Sequence, residues 1–256
     1  MTEADPHQLL DQVRTYGARG VHGRVVETIG SRIVTGALRE GEMLPREAEL
    51  MVELQTSRTS IREGVKVLSA KGLVETRQKR GTLVRPRTSW NLLDPDVLAW
   101  AVAGGPDPEL TRELTDLRRL IEPGAVSMAA LRHDEPQLAA VAQALEGMRA
   151  GLGDPPAYYA ADLAFHQALF AATGNPFVDR LGAIVGAVLA VSFALQRRSL
   201  IPMETGLVLH EAVYEKVAAR DALGAERAML DIIESAKVEL DRSIGAKGQP
   251  GSSQEP

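Results

Sequence analysis

The sequence predicts a mainly α-helical protein, in which an N-terminal winged helix-turn-helix domain precedes an all-α bundle of six antiparallel helices. Two patterns and the distribution of charge lead to this prediction. Residues 22–88 contain three helical segments and then two short β-runs, whereas residues 108–247 show helical spacing and no convincing strand. Residues 20–90 hold 13 Lys and Arg against 8 Asp and Glu, a net charge of +5, while the rest of the 256-residue chain carries −10. This division indicates one domain that binds a polyanion and another with a separate role.

The composition excludes several classes of protein. The chain contains no cysteine, which removes disulfide-stapled secreted folds, thiolate zinc sites and cysteine nucleophiles. The first 20 residues carry acidic side chains and no apolar stretch, so they do not resemble a secretory signal. Residues 181–195 form an uncharged apolar run of 15 residues, which is shorter than the roughly 20 needed to span a bilayer and predicts a buried central helix. We therefore expect a cytoplasmic protein with no membrane contact.

Two helices are predicted at the start of the basic domain. Val25, Ile29 and Ile33 fall at helical spacing, and Gly36 ends this first helix. Pro45 stands at a favourable first position for a second helix, which continues to about residue 54.

The third predicted helix carries the residues that we expect to read DNA. Ser57 is a suitable N-cap, and Ile61, Val65 and Leu68 form one apolar stripe that leaves the opposite face free. Gly64 lies inside this helix at a cost of about 1 kcal/mol relative to alanine, and the sequence offers no reason for it. Arginines can hydrogen-bond guanine in the major groove, while short hydroxyls and the helix N-terminus suit phosphate. The first turn combines both types: Ser57, Arg58, Thr59, Ser60 and Arg62.

Two β-runs, residues 73–76 and 82–84, flank a basic tip at residues 77–81. Helix, helix, tight turn, helix and basic hairpin together describe a winged helix-turn-helix, whose wing reaches an adjacent groove. The residues expected to do so are Lys79, Arg80 and Gly81. The alternative is a solvated basic face that binds no ligand.

Breakers rich in Pro and Gly divide the second half of the chain into six predicted helices. They span residues 108–132, 135–150, 156–172, 177–200, 205–219 and 222–242. The predicted domains are an N-terminal arm (1–21), a winged helix-turn-helix DNA-binding domain (22–88), a linker with a short helix (89–106), an all-helical effector-binding and dimerisation domain (107–243) and a disordered tail (244–256).

Polar residues occur where the bundle ought to be apolar. Asp162 and His166 stand one turn apart on one face of a helix, and a second helix offers His210. An aspartate and two histidines from antiparallel helices are suited to hold Zn²⁺, Ni²⁺ or Mn²⁺. The alternatives are an Asp–His hydrogen bond on a wet face and a lone surface histidine. Arg118 and Glu122 form another pair at this spacing, in which the arginine could bind a ligand carboxylate or belong to an ordinary surface ion pair.

Residues 41–86 resemble the DNA-binding domain of the GntR regulators. The motifs are Leu-Pro-x-Glu from Leu44, Ser-Arg-x-x-x-Arg-Glu from Ser57 and the Gly-Leu-Val…Gly-Thr-x-Val wing. The helical half resembles the FCD domain of the FadR subfamily, on Arg-x-x-Ile-Glu-Pro from Arg118, Asp-x-x-x-His from Asp162 and the leucine-flanked His210. The resemblance implies a homodimeric transcriptional regulator, not an enzyme, that binds a pseudo-palindromic double-stranded DNA operator and acts as a repressor rather than an activator.

The segment Trp-Asn-Leu-Leu-Asp-x-Asp-Val-Leu-x-Trp from Trp90 is similar to that of regulators of galactonate and related sugar-acid catabolism. This similarity implies a small carboxylate effector, an aldonate or a phosphorylated keto-sugar acid, that releases the protein from DNA. The effector is expected against Arg118 and the cluster of Asp162, His166 and His210, directly or through a metal.

Two positions depart from the family pattern. Family members often carry an arginine at the position of Ala48, and Arg46 is the candidate to replace that DNA contact. The FCD metal site usually has a fourth histidine at the position of Ile232, with Asp231 beside it but rotated by about 100° around the helix. A three-ligand site binds a metal more weakly, or completes its shell with the carboxylate of the effector.

Two alternatives remain at this point. One is a metal-dependent enzyme in which Asp162 and His166 hold a catalytic cation and the DNA-binding domain is accessory, although no further acid, base or nucleophile clusters with them by spacing. The other is a regulator of the same fold that senses a metal or an acyl thioester.

Overall fold

A computed structural model describes residues 20–77, 80–104, 107–196 and 203–245 of the chain. These residues divide into two compact units, one up to residue 104 and one from residue 107. The predicted arm up to residue 19, the predicted tail beyond residue 245 and the predicted wing contact Lys79 lie outside the described residues.

The N-terminal unit is a winged helix-turn-helix, as the sequence predicts. Its elements are α1 (Gly20–Val34), α2 (Glu47–Glu53), α3 (Arg58–Ala70), β1 (Val74–Arg77), β2 (Gly81–Val84), a 3₁₀ turn (Arg87–Ser89) and α4 (Pro95–Ala103). The two strands are antiparallel, with Val74 opposite Val84 and Arg77 opposite Gly81, and they form the wing.

Capping and core packing hold α3 in place. The Ser57 hydroxyl accepts a hydrogen bond from the Ser60 N–H at 3.2 Å, as predicted for an N-cap. On its inner side Ile61 and Leu68 are fully buried in one core with Val25 of α1. Burial of each such side chain stabilises the fold by about 1.5–3 kcal/mol. The opposite face of α3 is therefore presented on a firmly packed helix.

Gly64 has a packing role at the contact between α1 and α3. A β-carbon built on this residue would lie 2.5 Å from Cγ1 and 3.1 Å from Cβ of Val25. Valine is stiff at χ1, so Val25 cannot easily move aside. Glycine at position 64 therefore lets the two helices approach closely, which is the reason that the sequence alone does not reveal.

Gly64→Ala is expected to lower the free energy of unfolding of this unit by about 1–3 kcal/mol, because overpacking outweighs a helix-propensity gain of at most about 1 kcal/mol. Chemical denaturation checks the value. In a Val25→Ala background the same change should be neutral or stabilising, since the clash is gone. If Gly64→Ala alone stabilises the protein, the proposed packing role is wrong.

The sequence predicts a linker with a short helix over residues 89–106; the helix is α4, which begins at Pro95 as predicted and packs within the N-terminal unit. The Trp100 ring is 1 % exposed, and a β-carbon on Gly30 of α1 would lie only 2.4 Å from it. The Trp100 Nε1 also donates a hydrogen bond to Glu27 at 2.9 Å. The described residues of this segment are thus part of the DNA-binding unit.

A buried ion cluster ties α4 to α3. The Lys71 Nζ, just after α3, donates to Asp94 at 2.8 Å and to Asp96 at 2.6 Å. The side chains of Lys71, Asp94 and Asp96 are 7 %, 14 % and 0 % exposed, respectively. We call these three residues the Lys71 cluster. It joins the end of the predicted recognition helix to the start of α4.

The C-terminal unit contains, in its described residues, six helices whose starts lie within two residues of the predicted ones. They are α5 (Pro108–Arg132), α6 (Glu135–Ala150), α7 (Pro155–Ala171), α8 (Pro176–Gln196), α9 (Met203–Ala218) and α10 (Ala222–Gly245). Phe165 and Leu169 of α7, Val213 of α9 and Met229 of α10 are fully buried in its main core.

The apolar run at residues 181–195 lies in α8, where Val185, Val188 and Leu189 are buried. Among the described residues no helix is both long and apolar enough to cross a membrane. Val185, Val188 and Leu189 of this run thus belong to the interior of the helical unit, as predicted for a buried helix.

Candidate DNA-binding surface and metal centre

The first turn of α3 presents most of the residues predicted there to contact DNA. Four of them are exposed: Ser57, Arg58, Thr59 and Arg62. Ser60 is only 6 % exposed, its N–H donates to Ser57, and its hydroxyl oxygen lies 3.0 Å from that of Ser57. Ser60 lies on the core side because it precedes the buried Gly64 by one helical turn. Its hydroxyl supports the cap, while its neighbours face outward.

Glu47, the first residue of α2, contacts both arginines of α3, although the sequence did not single it out. Its Oε1 accepts a hydrogen bond from the Nε of Arg62 at 2.9 Å, and its Oε2 lies 3.7 Å from the Nε of Arg58. All three side chains are between 42 % and 62 % exposed. The contact with Arg62 joins residues 15 apart, so it leaves no periodic signal in the sequence. The sequence showed only that an acidic residue lies in the helix before the basic helix α3.

The start of α2 and the wing extend the basic surface. Arg46 is exposed at the N-cap of α2, and Arg80 and Gly81 are exposed at the start of β2, where Gly81 has a φ of +100°. These three residues and Arg62 line a groove of about 920 Å³ between α2, α3 and the wing. Exposed guanidiniums on both sides of a groove suit a phosphate backbone.

The second candidate site lies inside the helical unit, where Asp162 and His166 of α7 meet His210 of α9. The Oδ1 of Asp162 lies 3.3 Å from the Nε2 of His166 and 3.3 Å from the Nε2 of His210. One ligand atom from each residue lies within 4.8 Å of the other two, and the residues are 6 %, 2 % and 4 % exposed. The structure brings together the three residues that the sequence predicts as metal ligands, and we call them the metal cluster.

The facing polar atoms of the metal cluster support a role in binding a cation. The Asp162 Oδ1 and both Nε2 atoms are buried, yet they have no hydrogen-bond partner among the described residues. Buried polar atoms are rarely left without a partner. The convergence of three such donors fits a divalent transition metal bound by nitrogen and oxygen.

Contacts outside the cluster, a hydrogen bond to His210 and an ion-pair contact to His166, orient its ligands. The Nδ1 of His210 lies 2.7 Å from the carbonyl of Gly206, which can only accept, so Nδ1 carries the proton. In the neutral ring the lone pair is then on Nε2, which faces Asp162. On the other side the Nδ1 of His166 lies 3.0 Å from the Oε2 of Glu122. A carbonyl and a carboxylate thus flank the two histidines.

Arg118 and Glu122 form a buried ion pair rather than a surface one. Arg118 is 4 % and Glu122 0 % exposed, and the Nε and Nη2 of Arg118 donate to the carboxylate at 2.5 Å and 3.4 Å. The arginine therefore reaches the metal cluster through Glu122 and His166. Glu122 is the residue of this site whose role the sequence did not reveal, although the Arg118–Glu122 spacing was noted.

Burial and charge together set the protonation of this region. Burial disfavours the ionised form of Glu122, but Arg118 and His166 outweigh it and lower the pKa of Glu122 to about 2. Burial disfavours charge on His166, but Glu122 and Asp162 outweigh it and raise the pKa of His166 to about 9. Burial also opposes the charge of Asp162, and His210 and His166 hold its pKa below the usual range. Two ionised carboxylates therefore flank His166 and favour positive charge in the cluster.

Helix α10 does not add a fourth ligand among the described residues. Ile232 is 6 % exposed and packs in the main core, while the neighbouring Asp231 is exposed. The protein ligands that come together are thus the aspartate and two histidines of the metal cluster.

A basic winged helix-turn-helix unit and a separate helical unit define a DNA-binding transcriptional regulator. Residues 22–84 match the gntR family of bacterial regulatory proteins, and residues 113–235 match the FCD domain. The chain therefore belongs to the GntR family and carries an FCD domain.

Known relatives agree with this assignment. The chain is 36 % identical to the galactonate operon transcriptional repressor of Escherichia coli K12, over 83 % of this chain and 93 % of that protein. It is 28 % identical to the transcriptional repressor NanR of Cronobacter sakazakii, over 80 % of this chain and 79 % of that one. A solved structure of Lar, which controls the expression of the Listeria monocytogenes agr system, shares the fold with a TM-score of 0.64 at 18 % identity, over 88 % and 98 % of the two chains. The relatives are transcriptional regulators, so the enzyme alternative is not supported.

Proposed function

We propose that this regulator is a repressor that binds a pseudo-palindromic operator as a homodimer and leaves it when a sugar acid, an aldonate, binds the helical unit. The observation that carries the proposal is the buried metal cluster in a chain 36 % identical to a galactonate operon repressor. A small polar carboxylate suits such a site, because its oxygens are ligands for a bound cation.

The N-terminal unit supplies DNA recognition. Arg58 and Arg62 on α3 would read base edges, and Ser57 and Thr59 would contact phosphate. Arg46, Arg80 and Gly81 border the same groove and would follow the backbone. Two such units in a symmetric dimer match two half-sites, which is why the operator is expected to be pseudo-palindromic.

The helical unit supplies the response. Asp162, His166 and His210 would hold a Zn²⁺, Ni²⁺ or Mn²⁺ ion, whose chemistry is to attract and polarise a ligand carboxylate. Three protein ligands leave part of the coordination shell for the effector. Glu122 holds His166 on its other side and Arg118 holds Glu122, so these two residues position the cluster rather than contact the metal.

Release from DNA requires that the effector bind one arrangement of the dimer more tightly than the other. The coupling is reciprocal: operator DNA must weaken effector binding by the same factor by which the effector weakens DNA binding.

The test is a thermal-shift titration of the purified protein with aldonates and keto-sugar acids, with and without a chelator. A ligand at 100 times its Kd stabilises the native state by about 2.7 kcal/mol, so one sugar acid should raise the Tm by several degrees. Chelation should remove that shift. No shift with any sugar acid would contradict the proposed effector class, and panels of acyl thioesters and of the metals alone would then identify the alternative.

Matched variants locate the binding site. Asp162→Asn and His166→Ala should lose the sugar-acid shift and the bound metal but keep DNA binding, because both residues belong to the helical unit and not to the unit that carries the DNA-binding surface. Asp231→Asn changes an exposed acid on α10 and should respond like the parent protein. A full dose–response in His166→Ala would remove the cluster from the effector site.

A further inference from the structure

We infer that Glu47 is a positioning residue for sequence discrimination. It holds the side chains of Arg58 and Arg62 where they can contact DNA bases, and it disfavours conformations in which they bind phosphate instead. This inference rests on the proposed contact between α3 and DNA. It concerns an acidic side chain at the centre of a basic surface, where simple attraction of DNA would have no use for a negative charge.

Glu47 is placed with little freedom. It is the first residue of α2, directly after the N-cap Arg46, whose N–H donates to the Glu49 carboxylate at 2.8 Å. Leu50, one turn further on, is 2 % exposed and fixes α2 to the core. The carboxylate of Glu47 therefore stands at a defined position beside α3.

Each oxygen of Glu47 faces one arginine. Oε1 accepts from the Nε of Arg62 at 2.9 Å, and Oε2 lies 3.7 Å from the Nε of Arg58, one helical turn earlier. A guanidinium has five N–H donors in a planar fork, so engaging the Nε edge leaves the terminal nitrogens available to a base. Side chains held in this way lose less entropy when they bind DNA.

These contacts add little to the free energy of folding. The side chains of Arg58, Arg62 and Glu47 are 61 %, 62 % and 42 % exposed, and ion pairs this exposed contribute little to folding. Their consequence lies in binding. On a wrong sequence the arginines can gain only from phosphate, and turning to phosphate would leave the carboxylate of Glu47 unpaired beside the DNA backbone. Such a repulsive element lowers non-specific affinity more than specific affinity.

The test compares two DNA duplexes: one enriched from a random library by the wild-type protein, and a shuffled duplex of the same composition. We define the specificity ratio as the Kd for the shuffled duplex divided by the Kd for the enriched duplex. In Glu47→Gln and Glu47→Ala this ratio should fall at least about tenfold, which is the scale of one base-reading contact. Affinity for the shuffled duplex should rise, and its dependence on salt concentration should steepen as the freed arginines take phosphates.

Glu63→Gln is the matched control. Glu63 is an exposed acid on α3 itself that pairs with Lys66 at 2.7 Å, so its removal changes the net charge equally. Both duplexes should then bind more tightly by a similar factor, and the ratio should stay within about twofold of wild type, as expected of a general electrostatic effect. An unchanged ratio in both Glu47 variants would overturn the inference alone. A wild-type protein that enriches no duplex would overturn the DNA-reading role of α3 as well.

Discussion

Arg62→Ala is expected to abolish specific operator binding while the response of the helical unit to its effector remains intact. A good arginine–guanine pair discriminates by about 1–3 kcal/mol. In a symmetric dimer the contact is lost twice, which corresponds to a fall in affinity of roughly 30-fold to 20 000-fold. Arg58→Ala should behave alike, because Arg58 lies one turn away on the same exposed face.

Fluorescence anisotropy or footprinting with the enriched duplex measures this loss. Lys66→Ala is the matched control, since Lys66 is an exposed basic residue on the same helix. Its removal should weaken specific and shuffled DNA by similar factors and lower the salt dependence, as for a phosphate contact. If Arg62→Ala still protects the same operator at wild-type affinity, the assignment of α3 as the recognition helix is wrong.

Lys71→Met is expected to lower the free energy of unfolding of the N-terminal unit by about 3–5 kcal/mol, the largest stability effect that we predict. The change leaves Asp94 and Asp96 without the ammonium group that both contact at 2.8 Å or less. Asp96 is fully buried, so water cannot easily replace the lost partner. The unit is marginal enough for such a loss to unfold much of the population.

Urea denaturation followed by tryptophan fluorescence checks this value selectively. The chain has two tryptophans, Trp90 and Trp100, and both belong to the N-terminal unit. Adding Asp94→Asn and Asp96→Asn to Lys71→Met should recover part of the stability, because the negative charges that Lys71 balances are then removed. Lys66→Met, an exposed lysine on α3, should change stability by no more than about 0.5 kcal/mol. A similarly small change for Lys71→Met would contradict the role of the Lys71 cluster.

Local patterns were enough to predict most of the fold. The N-cap at Ser57 and the apolar stripe of α3 follow from spacing within one helix, and Pro and Gly mark most of the boundaries between the bundle helices, although none lies between α9 and α10. The pairing of Asp162 with His166 was predictable for the same reason, because the two residues share one helical face. His210 was singled out as a polar residue in an apolar stretch and by the family resemblance, since its contact with Asp162 joins two different helices.

Contacts between elements were not predictable from spacing. Glu47 meets Arg62 across 15 residues, and Lys71 meets Asp94 across 23, so neither contact leaves a periodic signal. The Arg118–Glu122 pair has helical spacing, yet spacing cannot tell a buried pair from an exposed one. That distinction depends on how α5 packs, which no single segment of sequence encodes.

The attachment of α4 bears on where this protein can be divided into parts. The family match for the DNA-binding region ends at residue 84, but Asp94, just before α4, and Asp96 of α4 supply both carboxylates of the Lys71 cluster, and α4 also places the Trp100 ring on α1. A fragment cut at residue 88 would leave the buried ammonium group of Lys71 without the two carboxylates that it contacts, and would expose the apolar surface of α1 that Trp100 covers. The smallest autonomous DNA-binding piece therefore extends through Ala103, and grafting experiments that exchange sensory domains among relatives should place the junction after that residue.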